Sequence, residues 1–161
     1  MMPAIVNTQD LKAYYITKAY GVERTVKAVD DVTIAIQKGE VYGLAGESGC
    51  GKSTLLKVML GEFQPPLTIV SGSVTYRLDG QEKNAASLTE EDRQQIRWSK
   101  VSYIPQGSMH VLNPVRRIQD TFHDFIATHK PMSKRESFEM TGDYLRELGL
   151  PEIVMRSYPH Q

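Results

Sequence analysis

The sequence predicts an α/β fold in which a phosphate-binding loop (P-loop) joins a buried strand to a helix, beside an antiparallel β layer. Three observations predict it. A short apolar run, Glu40 to Ala45, feeds the segment Gly46-Glu47-Ser48-Gly49-Cys50-Gly51-Lys52-Ser53-Thr54, which fits G-x-x-x-x-G-K-[ST]. A helical run, Lys52 to Leu60, follows at once. Apolar residues alternate with polar ones at Val32, Ile34 and Ile36, and a second strand-like segment runs from Gly72 to Leu78.

The elements follow in order. Val32, Ile34 and Ile36 alternate with Thr33, Ala35 and Gln37, the pattern of a half-buried strand before the Lys38-Gly39 turn. Glu40 to Ala45 is short and mostly apolar, as a buried parallel strand should be. Leu55, Leu56, Met59 and Leu60 stand at helical spacing and Gly61 stops that helix. Gly72 to Leu78 lies beyond Pro65-Pro66 and closes at Asp79-Gly80. Thr89 is an N-cap for a helix that places Ile96 and Trp98 in apolar contacts, and Val101 to Ile104 is the next core strand, ended by Pro105. Ile118, Phe122, Phe125 and Ile126 mark one amphipathic helix. Ser133-Lys134-Arg135-Glu136 is a capping box opening another, with Phe138, Leu145 and Leu148 inward, ended by Gly149 and Pro151. The Phe and Leu stripes read as packing rather than ligand sites.

Glycines at 46, 49 and 51 let successive amides point inward as a nest for anionic oxygens, and the helix that follows adds its positive end. Lys52 would reach β and γ phosphates, and the Ser53 hydroxyl would sit on a magnesium ion. Cys50 beside the phosphates is either a reactive thiol or a small side chain tolerated there. No His or second Cys stands near it in sequence, which favours the second reading.

Composition bounds the function. Of 161 residues, 40% are hydrophobic and 24% charged, the balance of a globular domain with one core. Nineteen basic residues meet nineteen acidic ones, so no global field draws the chain to nucleic acid or anionic lipid. No apolar run approaches the roughly 18 residues that span a bilayer, and Met1 to Ile16 lacks the layout of a signal peptide, so the chain is expected in the cytoplasm, with any membrane link made through a protein. A single cysteine excludes an internal disulfide and fits a reducing compartment. There is no internal repeat and no low-complexity segment.

Further motifs stand in a fixed order. Ala28-Val29-Asp30-Asp31-Val32 and Lys38-Gly39-Glu40 precede the loop; Ile104-Pro105-Gln106, Leu112-Asn113-Pro114-Val115 and Tyr158-Pro159-His160-Gln161 follow it. Together they resemble the N-terminal part of an ATP-binding cassette (ABC) ATPase, with Leu-Asn-Pro and Tyr-Pro-His-Gln pointing to the oligopeptide/dipeptide importer branch. The resemblance implies a partial P-loop NTPase core: 1–40 and 70–80 as the antiparallel β layer, 41–69 and 81–105 as the P-loop core, and 106–161 as the Q-loop and start of a helical subdomain. It implies ATP and Mg2+ as cofactors, with Gly46, Ser48, Gly49, Cys50, Gly51, Lys52, Ser53 and Thr54 as the phosphate cradle. Gln106 falls at the Q-loop position, which with Ser53 touches the magnesium ion. Tyr20 falls near the aromatic that stacks on adenine, and Tyr15 is the runner-up, its company with Tyr14 in a strand-like run favouring packing. The implied partners are transmembrane permease subunits and a second ATP-binding subunit, with no nucleic acid and no direct membrane insertion. The implied place is the inner face of the cell membrane, held peripherally through the permeases.

In that family Tyr-Pro-His-Gln is followed by a Leu-Ser-Gly-Gly signature, an apolar strand ending in Asp-Glu, and a switch histidine. After Gln106 this sequence has no apolar run ending in Asp-Glu, and His160 belongs to the segment before the signature. The expectation is a truncated, self-associating piece that binds ATP without efficient hydrolysis and holds no catalytic residue, because phosphoryl transfer needs those groups for positioning and charge stabilisation. Three rivals stand beside it: a nucleic-acid-associated ABC protein, which needs a basic groove; a P-loop small-molecule kinase, which leaves the Leu-Asn-Pro and Tyr-Pro-His segments as coincidence; and a structural piece that binds no nucleotide.

Overall fold

A computed structural model describes residues 4–105, 107 and 111–161, and the chain divides into two compact units at Ser102/Tyr103. The first unit is built on a long hairpin. Strand β1 (Ala4–Ala19) and strand β2 (Val22–Gln37) run antiparallel and turn at Tyr20 and Gly21, both with positive φ (51° and 75°). Such a two-residue turn matches the right-handed twist of the strands it joins. Strand β3 (Leu67–Leu78) lies on the other side of β1, and strand β4 (Gln81–Asn84) pairs with β3 across the Asp79-Gly80 turn, giving the order β2-β1-β3-β4.

The ladder is broken where it must bend. Asp10 in β1, Asp31 in β2 and Gly72 in β3 all take positive φ, and pairing slips between Thr8/Leu11, Leu11/Ala13 and Gln9/Lys12. Bulges of this kind add twist and curl a sheet round what it covers. At Gly72 a Cβ would stand 2.3 Å from the Asp10 carbonyl oxygen, so the bend requires glycine there. This also moves the strand start: Gly72 is a bulge inside β3, and the strand opens five residues earlier, straight after Pro65-Pro66.

Helix α1 (Lys52–Met59) packs on this sheet. Leu55, Val58 and Met59 join Leu11, Ala13, Val29, Leu67, Val74, Tyr76, Ala85 and Ile96 in one buried cluster. The helix stops at Gly61, whose amide bonds the Val58 carbonyl at 3.0 Å while that of Glu62 reaches Lys57 O at 2.8 Å. Helix α2 (Glu90–Ser99) opens on a capping box between Thr89 and Asp92. It contributes Ile96 to the cluster, whereas Trp98 remains half exposed.

Two expected strands do not form. Glu40–Ala45 and Val101–Ile104 form no strand; Val41 is 98% and Ile104 85% exposed. A parallel strand exists through neighbours that take up its slanted hydrogen bonds. Among the described residues no segment pairs with either run, so apolar composition alone does not make them strands.

The second unit holds helix α3 (Ile118–His129) and helix α4 (Lys134–Glu147), followed by a 3-10 turn at Glu152–Arg156. Helix α4 opens on the Ser133–Glu136 capping box and buries Ser137, Thr141, Gly142 and Leu145, with a close approach at Gly142, where a Cβ would lie 3.2 Å from Met155 Sδ. Leu148 is 74% exposed rather than inward, because it is the C-cap and has left the helical stripe. Phe122 and Phe125 are partly exposed, at 39% and 58%.

Candidate functional site

The start of α1 gathers most of the predicted site. Gly51 is its N-cap, with φ 97° and ψ 0°, and supplies no side-chain cap. The first-turn amides of a helix have no intrahelical acceptor, so those of Lys52, Ser53 and Thr54 are left for an external one. Thr54 is followed by the first regular bond, Leu55 N to Gly51 O at 2.9 Å. A cavity of about 380 Å³ opens here, lined by Gly49, Cys50, Gly51, Lys52, Ser53 and Thr54 together with Tyr15, Val26, Lys27 and Ala28.

Lys52 turns back over the loop. Its ammonium donates to the carbonyl oxygens of Gly46 (2.7 Å) and Glu47 (2.6 Å) and to Cys50 Sγ (3.4 Å). The loop is thereby folded on itself and not extended, with Gly46 bound in through its carbonyl and Ser48 exposed in the turn between. The conformation depends on glycine at one point above all. A Cβ on Gly51 would stand 2.0 Å from the Ala28 carbonyl oxygen, an overlap of backbone that no other residue avoids.

The aromatic residues are placed differently from the sequence reading. Tyr20 is fully exposed at the tip of the β1–β2 hairpin and does not line the cavity, whereas Tyr15 does, its hydroxyl 3.4 Å from Thr54 Oγ1. The five-residue step from one to the other corresponds to about 16 Å of extended strand. Tyr14, the adjacent residue, donates to Asp30 Oδ1 at 2.5 Å, and this bond is the main cause that holds the Asp30 carboxyl below its usual range, with Lys27 and Lys12 adding to it. Tyr15 and Ala28 are the residues that sequence reasoning undervalued. The signal for Tyr15 was available in its odd-even relation to Tyr14 along one strand; none existed for Ala28, whose role is carried by its backbone.

Gln106 lies outside the described residues. Among the described residues no cluster of three or more His, Cys, Asp or Glu side chains could hold a metal. The Ser53 hydroxyl at the start of α1 is a described polar group that would hold a magnesium ion brought in by phosphate oxygens. The uncapped helix start, the ammonium and the glycine-only contact at position 51 suit a polyphosphate with such an ion.

Comparison with known proteins adds the family context. The ABC transporter family profile matches residues 29–160. The dipeptide transport ATP-binding protein DppD of Caldanaerobacter subterraneus subsp. tengcongensis is 33% identical over 99% of the chain and 47% of its own length. The oligopeptide transport ATP-binding protein AppD of Bacillus subtilis is 34% identical, again over 99% and 47%. AmiE of Streptococcus pneumoniae, an oligopeptide transport ATP-binding protein, is 34% identical over 86% and 39%. The chain thus spans about half the length, or less, of these curated relatives. Among solved structures, the ATP-binding cassette MJ0796, a dimer in a post-hydrolysis state bound to ADP and Pi, superposes with a TM-score of 0.75 at 21% identity, covering 97% of this chain and 62% of that one, a likeness of fold.

Proposed function

The chain belongs to the ABC transporter family, and from that premise we propose that it supplies the phosphate-binding half of an ATP site in an importer of dipeptides or oligopeptides. The observation that carries the reading is the start of α1: three amides without helical partners, no side-chain cap, and an ammonium held at the rim of the same cavity. In this reading the amides from Gly49 to Thr54 bind the β and γ phosphates of ATP, and Lys52 leaves the Gly46 and Glu47 carbonyls for phosphate oxygens, a trade of neutral acceptors for charged ones. Ser53, with Gln106, holds Mg2+, which when bound neutralises charge on the phosphate oxygens. Tyr15 offers the ring face for the adenine, in place of Tyr20, since it is the tyrosine beside the loop.

The domain reading is proposed likewise: 1–40 with 70–80 as the antiparallel layer, to which the sheet adds 67–69 and 81–84, the rest of 41–105 as the nucleotide core, and 106–161 as the start of a helical subdomain. Its partners are a second ATP-binding subunit and membrane-embedded permeases. No helix among the described residues is long and apolar enough to cross a membrane, and attachment to the inner face of the cell membrane through the permeases is part of the proposal. The relatives' names support peptides as the transported class. Uptake of a labelled dipeptide and of a labelled oligopeptide by cells carrying Lys52→Ala in the chromosomal gene tests the assignment. Loss of uptake is expected; uptake at the parental rate removes the importer reading.

A further inference from the structure

The pairing of β1 with β2 skips one residue beside the phosphate loop. Ala13 stands opposite Val29 and Tyr14 opposite Lys27, so Ala28 has no opposite number and bulges out of the ladder. A bulged residue is free to aim its carbonyl away from the partner strand. Here that carbonyl meets the N-cap of α1, 2.0 Å from where a side chain at position 51 would begin, with Ala28 C at 3.2 Å. The main chain of β2 therefore rests on the main chain of the loop at the residue whose conformation orients the first-turn amides.

The bulge is fastened from both sides by one side chain of the opposing strand. Tyr14 donates its hydroxyl to Asp30 Oδ1 at 2.5 Å, beyond the bulge, and lies under the ammonium of Lys27, before it, at 5.7 Å from the ring centre. Lys27 in turn stands 3.8 Å from Asp30 Oδ2, and Lys12 reaches Asp30 Oδ1 at 4.0 Å. Tyr14 is 8% exposed, whereas the Asp30, Lys27 and Lys12 side chains around it remain partly open to solvent. Tyr15, one residue on, reaches Thr54 of α1, and alternation along a strand places the Tyr14 bracket on the opposite face of the sheet from the loop.

We propose that Tyr14 and Asp30 are positioning residues for the phosphate loop: by fixing the bulge at Ala28 they set the orientation of the Gly51 N-cap and of the amides that follow it. The inference deepens the nucleotide-site reading and rests on it for its consequence in affinity, but not for its consequence in loop order.

The test uses both consequences. Hydrogen exchange of the Leu55 amide, bonded to Gly51 O at 2.9 Å, is measured without nucleotide as the reading of loop order, and Mg-ATP affinity by calorimetry well below the melting temperature. The variants are Tyr14→Phe, Asp30→Ala, the pair combined, Asp30→Asn, and Thr89→Ala as a control that loosens the distant cap of α2. Tyr14→Phe and Asp30→Ala are each expected to speed exchange in the loop and weaken Mg-ATP by about fivefold or more, the combined variant being no worse than either alone. Asp30→Asn keeps an acceptor for the Tyr14 hydroxyl and is expected within about twofold of the parent, and Thr89→Ala leaves both readings unchanged. Unaltered loop exchange in Tyr14→Phe overturns the proposal, as does an equal rise in Thr89→Ala, which marks a global effect. Faster loop exchange with no Mg-ATP binding by any variant supports the positioning role and rejects the nucleotide reading instead. Tyr14→Phe is nearly isosteric and carries the test alone if Asp30→Ala does not fold.

Discussion

The hydroxyl oxygens of Tyr15 and Thr54 stand 3.4 Å apart, joining the middle of β1 to the first turn of α1. That contact puts an aromatic ring at the edge of the cavity beside the start of α1, on a strand rather than at the exposed hairpin tip.

It follows that Tyr15→Ala weakens Mg-ATP by about tenfold, the scale of one base–aromatic stack. Tyr20→Ala, at the exposed hairpin tip, leaves the affinity unchanged. Calorimetric titration of the two variants side by side checks both statements, and the reverse order of effects rejects the placement of the base against Tyr15.

Gly51→Ala meets two obstacles at once, a φ of 97° and the Ala28 carbonyl at 2.0 Å. The conformational cost alone is roughly 1–2 kcal/mol, and the overlap adds to it. Loss of nucleotide binding with a lowered melting temperature is expected, measured by titration and thermal unfolding; a variant that binds as the parent does would show that the loop does not rest on β2.

Much of this was legible in the sequence, and the pattern of what was not is physical. The helix after the loop, the Thr89 N-cap, the Ser133–Glu136 capping box and the strand at Val32 to Ile36 are local signals, and each formed where spacing placed it, although Leu56 of the expected α1 stripe faces outward. The runs at 40–45 and 101–104 failed because strand formation is a property of pairs, and their composition says nothing of a partner. Leu148 was misjudged by one step of helical phase at a cap. Gly72 was read as a strand end because glycine marks turns and bulges alike. For the site, the residues from Gly49 to Thr54 line one cavity, whereas Tyr15 and Ala28 entered through strand register, which depends on four slips between β1 and β2 that no single-strand pattern contains.

Stability should respond to pH on both flanks. Burial pushes the Tyr76 hydroxyl up to about 12, and it donates to Met59 O at 2.8 Å. A raised value means that the folded state holds its proton where the unfolded chain has lost it, so this contribution is complete below pH 10 and disappears as pH rises toward 12, roughly 2–3 kcal/mol in all. On the acid side the carboxyls of Asp30, Asp92 and Glu136 are lowered, by hydrogen bonds from Tyr14, Lys83 and Ser133 respectively. Lowered values give stability that is present above the ordinary carboxylate range and lost as pH falls below about 4. Denaturant midpoints across pH 2 to 12 should therefore form a plateau with two falling edges, and Tyr76→Phe should flatten the alkaline one; an alkaline edge unchanged in that variant contradicts the assignment.

The sheet–helix core sets the scaffold for the site. Leu11 is fully buried between β2, β3 and α1 side chains, and Leu11→Ala should cost about 2–5 kcal/mol in chemical denaturation. A loss within about 0.5 kcal/mol would mean that this cluster is not the core.

The claim on which the rest depends is that the uncapped start of α1 and Lys52 bind a triphosphate. The most direct measurement is calorimetric titration of Mg-ATP into the chain and into Lys52→Ala. Saturable binding of one nucleotide per chain is expected for the parent, and an affinity at least about a hundredfold weaker for the variant, the loss of one charged contact to phosphate. Equal heats from the two proteins would contradict it.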